Sequence, residues 1–176
     1  MNVADKVAEW LIEKGATHAF GIIGAGNIGI FDAIARAGKT EIICTHHEQA
    51  AAQAAAYYWR VCGRIAPVIC TTGAGSANAI TGVLAAWMDS VPLMVLSGNE
   101  PMHFITKAGP RVIGVQGYDS VEVAKHFTKF AWRPQPHNTS GPMITDLLDT
   151  ALEKATTPRY GPVWLDFPRD LQTRQL

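Results

Sequence analysis

The chain has 176 residues, with 15 basic and 15 acidic side chains, so its formal net charge is zero. It lacks the positive charge with which proteins bind nucleic acids or anionic membrane surfaces, and this excludes nucleic acid as an expected partner. Hydrophobic residues make up 48% of the chain and charged residues 17%, below the roughly 25% charged residues of a typical soluble domain. The shortfall of charge indicates that part of the surface is buried against another chain.

No run of the sequence approaches the roughly 20 apolar residues that span a membrane. Residues Met1–Lys6 lack the basic start and apolar core of a signal peptide. We therefore expect a cytoplasmic protein with no membrane partner. The three cysteines are Cys44, Cys62 and Cys70, without metal-ligand spacing, and two of them lie in apolar runs. We expect buried free thiols, no disulfide framework and no metal site on this chain.

Helical and strand patterns alternate along the chain. An amphipathic helix comes first and ends at Gly15; its apolar face carries Val3, Val7, Trp10 and Leu11. Continuous apolar runs predict strands buried on both faces at His18–Ile23, Glu41–Thr45, Ala66–Thr71, Pro92–Ser97 and Pro162–Phe167. Helical patterns lie over Asn27–Ala37, Glu48–Arg60, Asn78–Met88, Ser120–Lys125 and Gly141–Ala155.

This alternation predicts an α/β fold of the doubly wound class, with a mostly parallel sheet and helices on both faces. No linker, low-complexity tract or repeat interrupts it, so a single domain over residues 1–176 is expected. His103–Gln116 is expected to be a long loop. In open α/β sheets the ligand lies beyond the carboxyl ends of the strands, which directs attention to three strand-to-helix turns.

The first turn, Gly24–Gly29, matches the glycine pattern of dinucleotide-binding domains. In that interpretation, backbone N–H groups at a helix start would hold a phosphate, and Glu48 falls near the position of the acidic residue that the pattern requires. A nicotinamide-dinucleotide-binding domain of an oxidoreductase is therefore one alternative function. The other interpretation of this turn is that small residues only permit a tight connection.

The second turn carries Glu48, where a strand passes into an alanine-rich helix with few charges. A carboxylate in such surroundings should be partly desolvated, which suits a group that relays protons. The alternative is a solvated first-turn acid that the helix dipole stabilises. His46 and His47 are adjacent and point to opposite faces of a strand, so we expect packing or supporting roles for them instead of metal ligation.

The third turn, Gly73–Asn78, opens a helix with Ser76 or Asn78 as the candidate cap. A glycine turn at a helix start is usually only a tight connection. The glycines around Ser76 do not have the placement of a nucleophile elbow, so a serine hydrolase is not indicated. The combination of two glycine-rich turns with an acidic residue between them indicates a ligand-binding site more strongly than any one of these three features does alone.

Together these segments resemble the pyrimidine-binding domain of thiamine-diphosphate-dependent enzymes, in the branch of acetolactate synthase and sulfoacetaldehyde acetyltransferase. The resemblance extends nearly from end to end. It is carried by Gly15–Gly24, His47–Ala51, Thr72–Asn78, Thr81–Gly82, Asp89–Leu93, Gln116 and Gly161–Asp170. It implies the thiamine-diphosphate-binding fold, with a sheet of six strands.

The resemblance also implies a role for each site residue. Glu48 would be catalytic, because its carboxyl would hydrogen-bond a ring nitrogen of the aminopyrimidine and activate the cofactor to its ylid. The implied cofactor-binding residues are Gly24, Ala25, Gly73, Gly75 and Asn78. Gln116 and His47 would lie on the substrate side. The implied chemistry is decarboxylation of a 2-oxoacid, or acyl or aldehyde transfer, by a transferase, lyase or carboligase.

The sequence departs from the family at two places that line the pocket. Ile22–Ala25 replaces a Tyr-Pro-Gly-Gly turn, and Val115–Gly117 replaces Phe-Gln-Glu. Conversion of pyruvate to acetolactate therefore does not follow from the resemblance. A non-catalytic regulatory domain of the same fold is a further alternative, against which the retained Glu48 argues.

The Gly-Asp-Gly and Asn motif with which the family holds magnesium does not occur in the 176 residues. The resemblance therefore implies that a partner chain carries the diphosphate-binding domain and the Mg²⁺ ion, and that this chain is inactive alone. A two-plus-two heterotetramer is the expected assembly, and no flavin is expected. A natural subunit of a split enzyme and an excised domain both agree with this organisation.

Overall fold

A computed structural model of the chain describes residues 1–105 and 116–176. Six strands form one sheet: β1 His18–Gly21, β2 Glu41–Cys44, β3 Val68–Cys70, β4 Leu93–Asn99, β5 Phe130–Trp132 and β6 Pro162–Pro168. All neighbouring strands are parallel, in the order β2-β1-β3-β4-β6-β5. The predicted six-stranded α/β fold is confirmed. The chain passes to one side of β1 for β2 and to the other for β3, so the topological switch point lies between β1 and β3.

Helices cover both faces of the sheet. They are α1 Val3–Glu13, α2 Ile28–Ala37, α3 Glu48–Cys62, α4 Ala74–Met88, α5 Met102–Ile105, α6 Ser120–Ala124, α7 Gly141–Thr156 and α8 Arg169–Gln172, with a 3-10 helix at Pro136–Asn138. One core lies between the sheet and α1, α2 and α7, and a second lies under α3, α4 and α6. None of the helices in the described part of the chain is both long and apolar enough to span a bilayer.

The first helix forms where the apolar periodicity predicts it. The Asn2 side chain accepts a hydrogen bond from the Asp5 N–H at 2.8 Å, and the Asp5 carboxylate accepts one from the Asn2 N–H at 2.9 Å. This reciprocal pair satisfies two backbone donors at the start of α1. The apolar face of α1, including Trp10 and Leu11, is buried in the first core.

Helix α4 begins at Ala74, four residues before the predicted start at Asn78. Gly73 is its N-cap residue and no side chain caps it, so the expectation that Ser76 or Asn78 caps this helix is wrong. The small residues of Gly73–Asn78 form the first turn of the helix instead of a loop before it. Gly75 and Asn78 are therefore held on rigid backbone, one turn apart.

Two elements differ from the predicted pattern because of their place at the sheet edges. Strand β2 was expected to be buried on both faces, but Glu41, Ile43 and Cys44 are exposed, because among the described residues β2 lies at the edge of the sheet, beside β1. Strand β5 is three residues long and half-buried, too short for a periodic signal, and it was not predicted. Of the expected loop His103–Gln116, residues 106–115 lie outside the described residues.

The expected burial of the cysteines is wrong for two of the three. Cys44 and Cys62 are exposed, and only Cys70 is buried. Cys44 lies on the edge strand β2, whereas Cys70 ends the central strand β3. Burial raises the pKa of the Cys70 thiol well above its ordinary value, and the nearby carboxylates of Asp166 and Glu48 add to this rise.

The cysteines should therefore differ in reactivity. Because thiolate is the nucleophile and a raised pKa keeps the Cys70 thiol protonated at neutral pH, we expect iodoacetamide to label Cys44 and Cys62 in the folded chain and to spare Cys70. Labelling of Cys70 should require unfolding in denaturant. Mass spectrometry of peptides from native and unfolded samples measures this difference, and equal native labelling of Cys70 and Cys62 would contradict it.

Candidate active site

The turns after β1 and β3 meet at the switch point. A Cβ atom added at Gly24 would lie 2.6 Å from the Thr71 side chain, so this close packing requires glycine. The backbone N–H of Gly26 donates to Thr71 Oγ1 at 2.9 Å. Thr71 follows β3 directly and also lies against Gly75. The three glycines thus surround one threonine side chain that joins the first and third predicted turns.

The first turn is held by its own side chain. Asn27 is buried; its Oδ1 accepts a hydrogen bond from the Gly24 N–H at 2.8 Å, and its Nδ2 donates to the Ile22 carbonyl oxygen at 3.0 Å. The amides of Gly24 and Gly26 are therefore occupied within the protein and are not free to hold a phosphate. This arrangement does not favour the dinucleotide alternative, and it supports the simpler interpretation of the glycines as a tight turn.

Glu48 is the first residue of α3, and its side chain is only 7% exposed. The preceding residue, His47, caps the helix, because its Nδ1 accepts a hydrogen bond from the Gln49 N–H at 3.2 Å. Behind Glu48, the buried residues Ala51 and Ala52 bring no polar group. The sequence-based expectation of a desolvated carboxylate is confirmed, and the positive end of the α3 dipole lies at the same place.

The two oxygens of the Glu48 carboxylate have different surroundings. Asn78 Nδ2 donates to Oε2 at 3.0 Å. Oε1 accepts no hydrogen bond from the described residues, and a Cβ atom added at Gly75 would lie 3.2 Å from it. Within the described part of the chain, every side-chain nitrogen or oxygen that is fully buried has a hydrogen-bond partner. Because Oε1 has none, it is not fully buried and keeps some contact with solvent. One oxygen is thus fixed by Asn78, and the other has no hydrogen-bond partner among the described residues.

Gln116 lies on the third turn. Gly73 has φ +67° and ψ −128°, a conformation that residues with side chains rarely adopt. A Cβ atom added there would lie 2.6 Å from Gln116 Cβ and 2.7 Å from the Gln116 carbonyl oxygen. Thr72 Oγ1 donates to that carbonyl oxygen at 3.2 Å. Gly73 therefore permits a close approach of two backbone segments, and Gln116 remains exposed beside it.

The structure brings most of the predicted residues together. Asn78 is hydrogen-bonded to Glu48, Gly75 faces the Glu48 carboxylate, Gln116 lies against Gly73, and Thr71 links Gly75 with Gly24. Ala25 and His47 are exposed at the surface, Ala25 in the turn after β1 and His47 at the helix cap. Their cofactor and substrate roles stay predictions.

Sequence reasoning missed three polar residues of the site. Thr71 and Thr72 follow β3, and Tyr118 joins the third turn to the segment after Gln116, since its hydroxyl lies 2.9 Å from Ser76 Oγ. Burial raises the pKa of the Tyr118 hydroxyl to about 12, so it stays protonated at neutral pH. The sequence signal that could have identified Thr71 and Thr72 is their position, since two hydroxyl side chains directly follow a buried strand. In the described residues, no group of three or more His, Cys, Asp and Glu side chains is arranged to hold a metal ion.

A parallel α/β sheet with a buried carboxylate at its switch point has the architecture in which such folds bind ligands, beyond the carboxyl ends of the strands. The comparison with known families identifies the cofactor class. The family model described as "Thiamine pyrophosphate enzyme, N-terminal TPP binding domain" matches residues 1–124. The chain therefore belongs to this family, and the resemblance inferred from the sequence is confirmed.

Among curated proteins the chain is similar to acetolactate synthase large subunits. It is 33% identical over 174 residues to that of Buchnera aphidicola subsp. Schizaphis graminum (strain Sg), over 97% of this chain and 28% of the relative. It is 34% identical over 170 residues to the large subunit of Haemophilus influenzae (strain ATCC 51907 / DSM 11121 / KW20 / Rd), with the same coverage of 97% and 28%. It is 32% identical over 174 residues to the isozyme 3 large subunit of Escherichia coli (strain K12), again over 97% and 28%. The chain thus spans little more than a quarter of the length of these relatives.

Proposed function

We propose that the chain is the pyrimidine-domain subunit of a thiamine-diphosphate-dependent carboligase or 2-oxoacid decarboxylase of the acetolactate synthase type, and that Glu48 activates the cofactor. The observation that carries this proposal is the Glu48 carboxylate, whose Oε2 is fixed by Asn78 while Oε1 is accessible in an otherwise buried setting. When bound, thiamine diphosphate supplies the electron sink for decarboxylation and for acyl or aldehyde transfer.

The residues of this chain would hold the pyrimidine and move its proton. Glu48 Oε1 would hydrogen-bond a ring nitrogen and share a proton with it, as a positioned carboxyl does in general acid–base catalysis. Asn78 would keep the carboxylate in one orientation, and the absence of a side chain at Gly75 would leave room beside Oε1. Gly24, Ala25 and Gly73 would complete the cofactor-binding surface.

Two further residues belong to the substrate side in this proposal. Gln116 is exposed beside Gly73, and His47 is exposed at the start of α3. The residues beside Gln116 and the Ile22–Ala25 turn depart from the family. The substrate would therefore be a 2-oxoacid or an aldehyde that is not necessarily pyruvate. Activation of the cofactor by Glu48 would be the same whether the enzyme is a transferase or a lyase.

We place the diphosphate-binding domain and the Mg²⁺ ion on a partner chain, in a two-plus-two heterotetramer located in the cytoplasm. The span of 28% of the relatives supports a further domain elsewhere. Exposed apolar side chains on two neighbouring helices also support a partner chain, because exposed apolar patches often mark protein–protein interfaces. On α3 and α4 these are Tyr57, Val61, Leu84, Trp87 and Met88, of which Val61 is 83% exposed.

The proposal predicts activity that depends on the partner. We expect the chain alone to consume no pyruvate or other 2-oxoacid in the presence of thiamine diphosphate and magnesium. Co-expression with the chain encoded beside it, if that chain carries a diphosphate-binding domain, should give turnover that needs both chains. Nicotinamide fluorescence should be unchanged on adding the chain alone. Turnover by the chain alone would contradict the partner requirement, and quenching or enhancement of nicotinamide fluorescence would favour the dinucleotide alternative.

A further inference from the structure

A group of buried polar side chains lies beneath the Gly73 turn, on β4, β6 and the residues after β5. We call it the Asp166 cluster; it consists of Ser97, Asn99, Arg133 and Asp166. Asp166 is completely buried, and its carboxylate accepts hydrogen bonds from Arg133 Nε at 2.6 Å, Ser97 Oγ at 2.6 Å and Asn99 Nδ2 at 2.9 Å. A buried carboxylate is tolerated only with such partners, and these donors satisfy it.

The carboxylate fixes the orientation of the Asn99 side chain. Only the NH₂ end of an amide can donate to Asp166, so the oxygen end must point the other way. Asn99 Oδ1 accepts hydrogen bonds from Thr72 Oγ1 at 3.0 Å and from the Glu100 N–H at 2.9 Å. A flipped amide would set its oxygen against the Asp166 carboxylate and its NH₂ against the Glu100 N–H, so both of those interactions would be lost. Asn99 therefore presents a fixed acceptor to Thr72.

Thr72 connects this cluster to Gln116. Its Oγ1 lies 3.0 Å from Asn99 Oδ1 and 3.2 Å from the Gln116 carbonyl oxygen, and its single proton is shared between these two acceptors. The Gln116 backbone is in turn packed on Gly73, where there is no room for a Cβ atom. The threonine side chain thus holds Gln116 at the third turn from the buried side.

The residues after Gln116 are held by the same cluster. Asn99 Nδ2 also lies 3.3 Å from the Tyr118 carbonyl oxygen, and the Arg133 guanidinium donates to Asp119 Oδ1 at 3.1 Å. Asp119 caps α6, since its Oδ1 accepts a hydrogen bond from the Glu122 N–H at 3.2 Å. Asn99 Nδ2 also lies 3.4 Å from Ser120 Oγ, so four of the five residues from 116 to 120 are attached to this cluster, Gln116 through Thr72.

We propose that Asn99 and Thr72 are positioning residues that fix Gln116 against the Gly73 turn, with the buried Asp166–Arg133 pair as their anchor. Neither contacts Glu48, and neither is a catalytic residue. The attachment of Gln116 stands independently of the proposed function, whereas its consequence for substrate binding rests on the proposed substrate-side role of Gln116.

The first test measures hydrogen–deuterium exchange of residues 117–120 in the full chain. Thr72→Val keeps the side-chain volume but removes the hydroxyl, and we expect these amides to exchange about three- to tenfold faster, as loss of one hydrogen bond predicts. Thr72→Ser retains the hydroxyl and should exchange like the wild type. Should Thr72→Val not fold, Thr72→Ala provides the same loss with a smaller side chain.

Trp164→Phe is the matched control. It removes the indole N–H that donates to Ser97 Oγ at 2.8 Å, so it disturbs the same buried cluster but leaves the Thr72 hydroxyl and its two acceptors in place. We expect it to lower stability without changing exchange at residues 117–120. Equal acceleration in Trp164→Phe and Thr72→Val, or unchanged exchange in Thr72→Val, would overturn the proposal.

The second test uses the chain assembled with its diphosphate-domain partner. Thr72→Val should raise the KM for the 2-oxoacid about three- to tenfold with kcat near the wild-type value, whereas Trp164→Phe and Thr72→Ser should leave both unchanged. Faster exchange with an unchanged KM would contradict the effect of Gln116 placement on substrate binding, but not the attachment of Gln116 by Thr72. Absence of turnover in the wild-type assembly would count against the proposed function, while the exchange result would still decide the attachment.

Discussion

Glu48→Gln is expected to lower the thiamine-diphosphate-dependent turnover of the assembled enzyme by about a hundredfold or more. Glutamine has nearly the same shape and can still accept the hydrogen bond from Asn78 Nδ2 on one side. At the accessible position it presents an NH₂ group, which cannot take up or share a proton as a carboxyl does. Loss of a general acid or base costs about 10²- to 10⁴-fold in rate.

The measurement is the initial rate of 2-oxoacid consumption at saturating thiamine diphosphate and magnesium, with thermal unfolding recorded in parallel. Glu41→Gln is the matched control, because Glu41 is exposed on the edge strand β2, away from the site, and has the same chemistry. We expect Glu41→Gln to retain wild-type turnover. Equal turnover by Glu48→Gln and the wild type, with the partner bound, would remove Glu48 as the activating residue.

The second large effect is expected from Gly73→Val. The added side chain would overlap the Gln116 backbone, with Cβ 2.7 Å from the carbonyl oxygen, and the left-handed φ of +67° is strained for a β-branched residue. The third turn must then move, and with it Gly75 and Asn78 at the start of α4. Since a misplacement of about 1 Å can cost about a hundredfold in rate, we expect at least that loss of turnover and weaker binding of thiamine diphosphate.

Gly63→Ala is the control that distinguishes displacement of the third turn from the strain of a left-handed backbone conformation. Gly63 ends α3 with φ +63°, and a Cβ atom added there meets nothing within 4 Å. We expect a stability loss of about 1 kcal/mol from the left-handed conformation, and unchanged turnover. Turnover and cofactor binding of both variants are compared with the wild type in the assembled enzyme. Wild-type activity in Gly73→Val would show that the approach of Gln116 to this turn does not shape the site.

Local patterns predicted the central part of the fold because the central strands are buried on both faces. Strands β4 and β6 are buried along their whole length, so their continuous apolar runs were sufficient. At the sheet edges the prediction was incomplete, since β2 was predicted as a strand but as a buried one, and β5 was not predicted. The exposure of β2 and the existence of the three-residue β5 depend on how many neighbours each strand has in the sheet, which the strand's own residues do not encode.

The sequence alone also indicated a functional acid at Glu48, because an alanine-rich helix start offers little solvation to a carboxylate. It could not distinguish the roles of the two glycine turns. The turn after β1 resembles a phosphate-binding loop in sequence, yet its amides are used by Asn27 and Thr71. Only the tertiary structure decides this, since Thr71 reaches the turn from a different strand.

Residue patterns alone thus predicted the doubly wound class of the sheet, the succession of its buried strands and main helices along the chain, and the position of a buried acid, because these features depend on local periodicity and composition. The tertiary structure decided which oxygen of Glu48 is accessible, how Gln116 is held against Gly73, and that Asn99 and Asp166 lie beneath that contact. These features join residues 30, 44 and 67 positions apart in the chain. Hydrogen bonds of a few ångströms between such distant positions leave no periodic signal, because they arise only when parallel strands bring their carboxyl ends to one edge of the sheet.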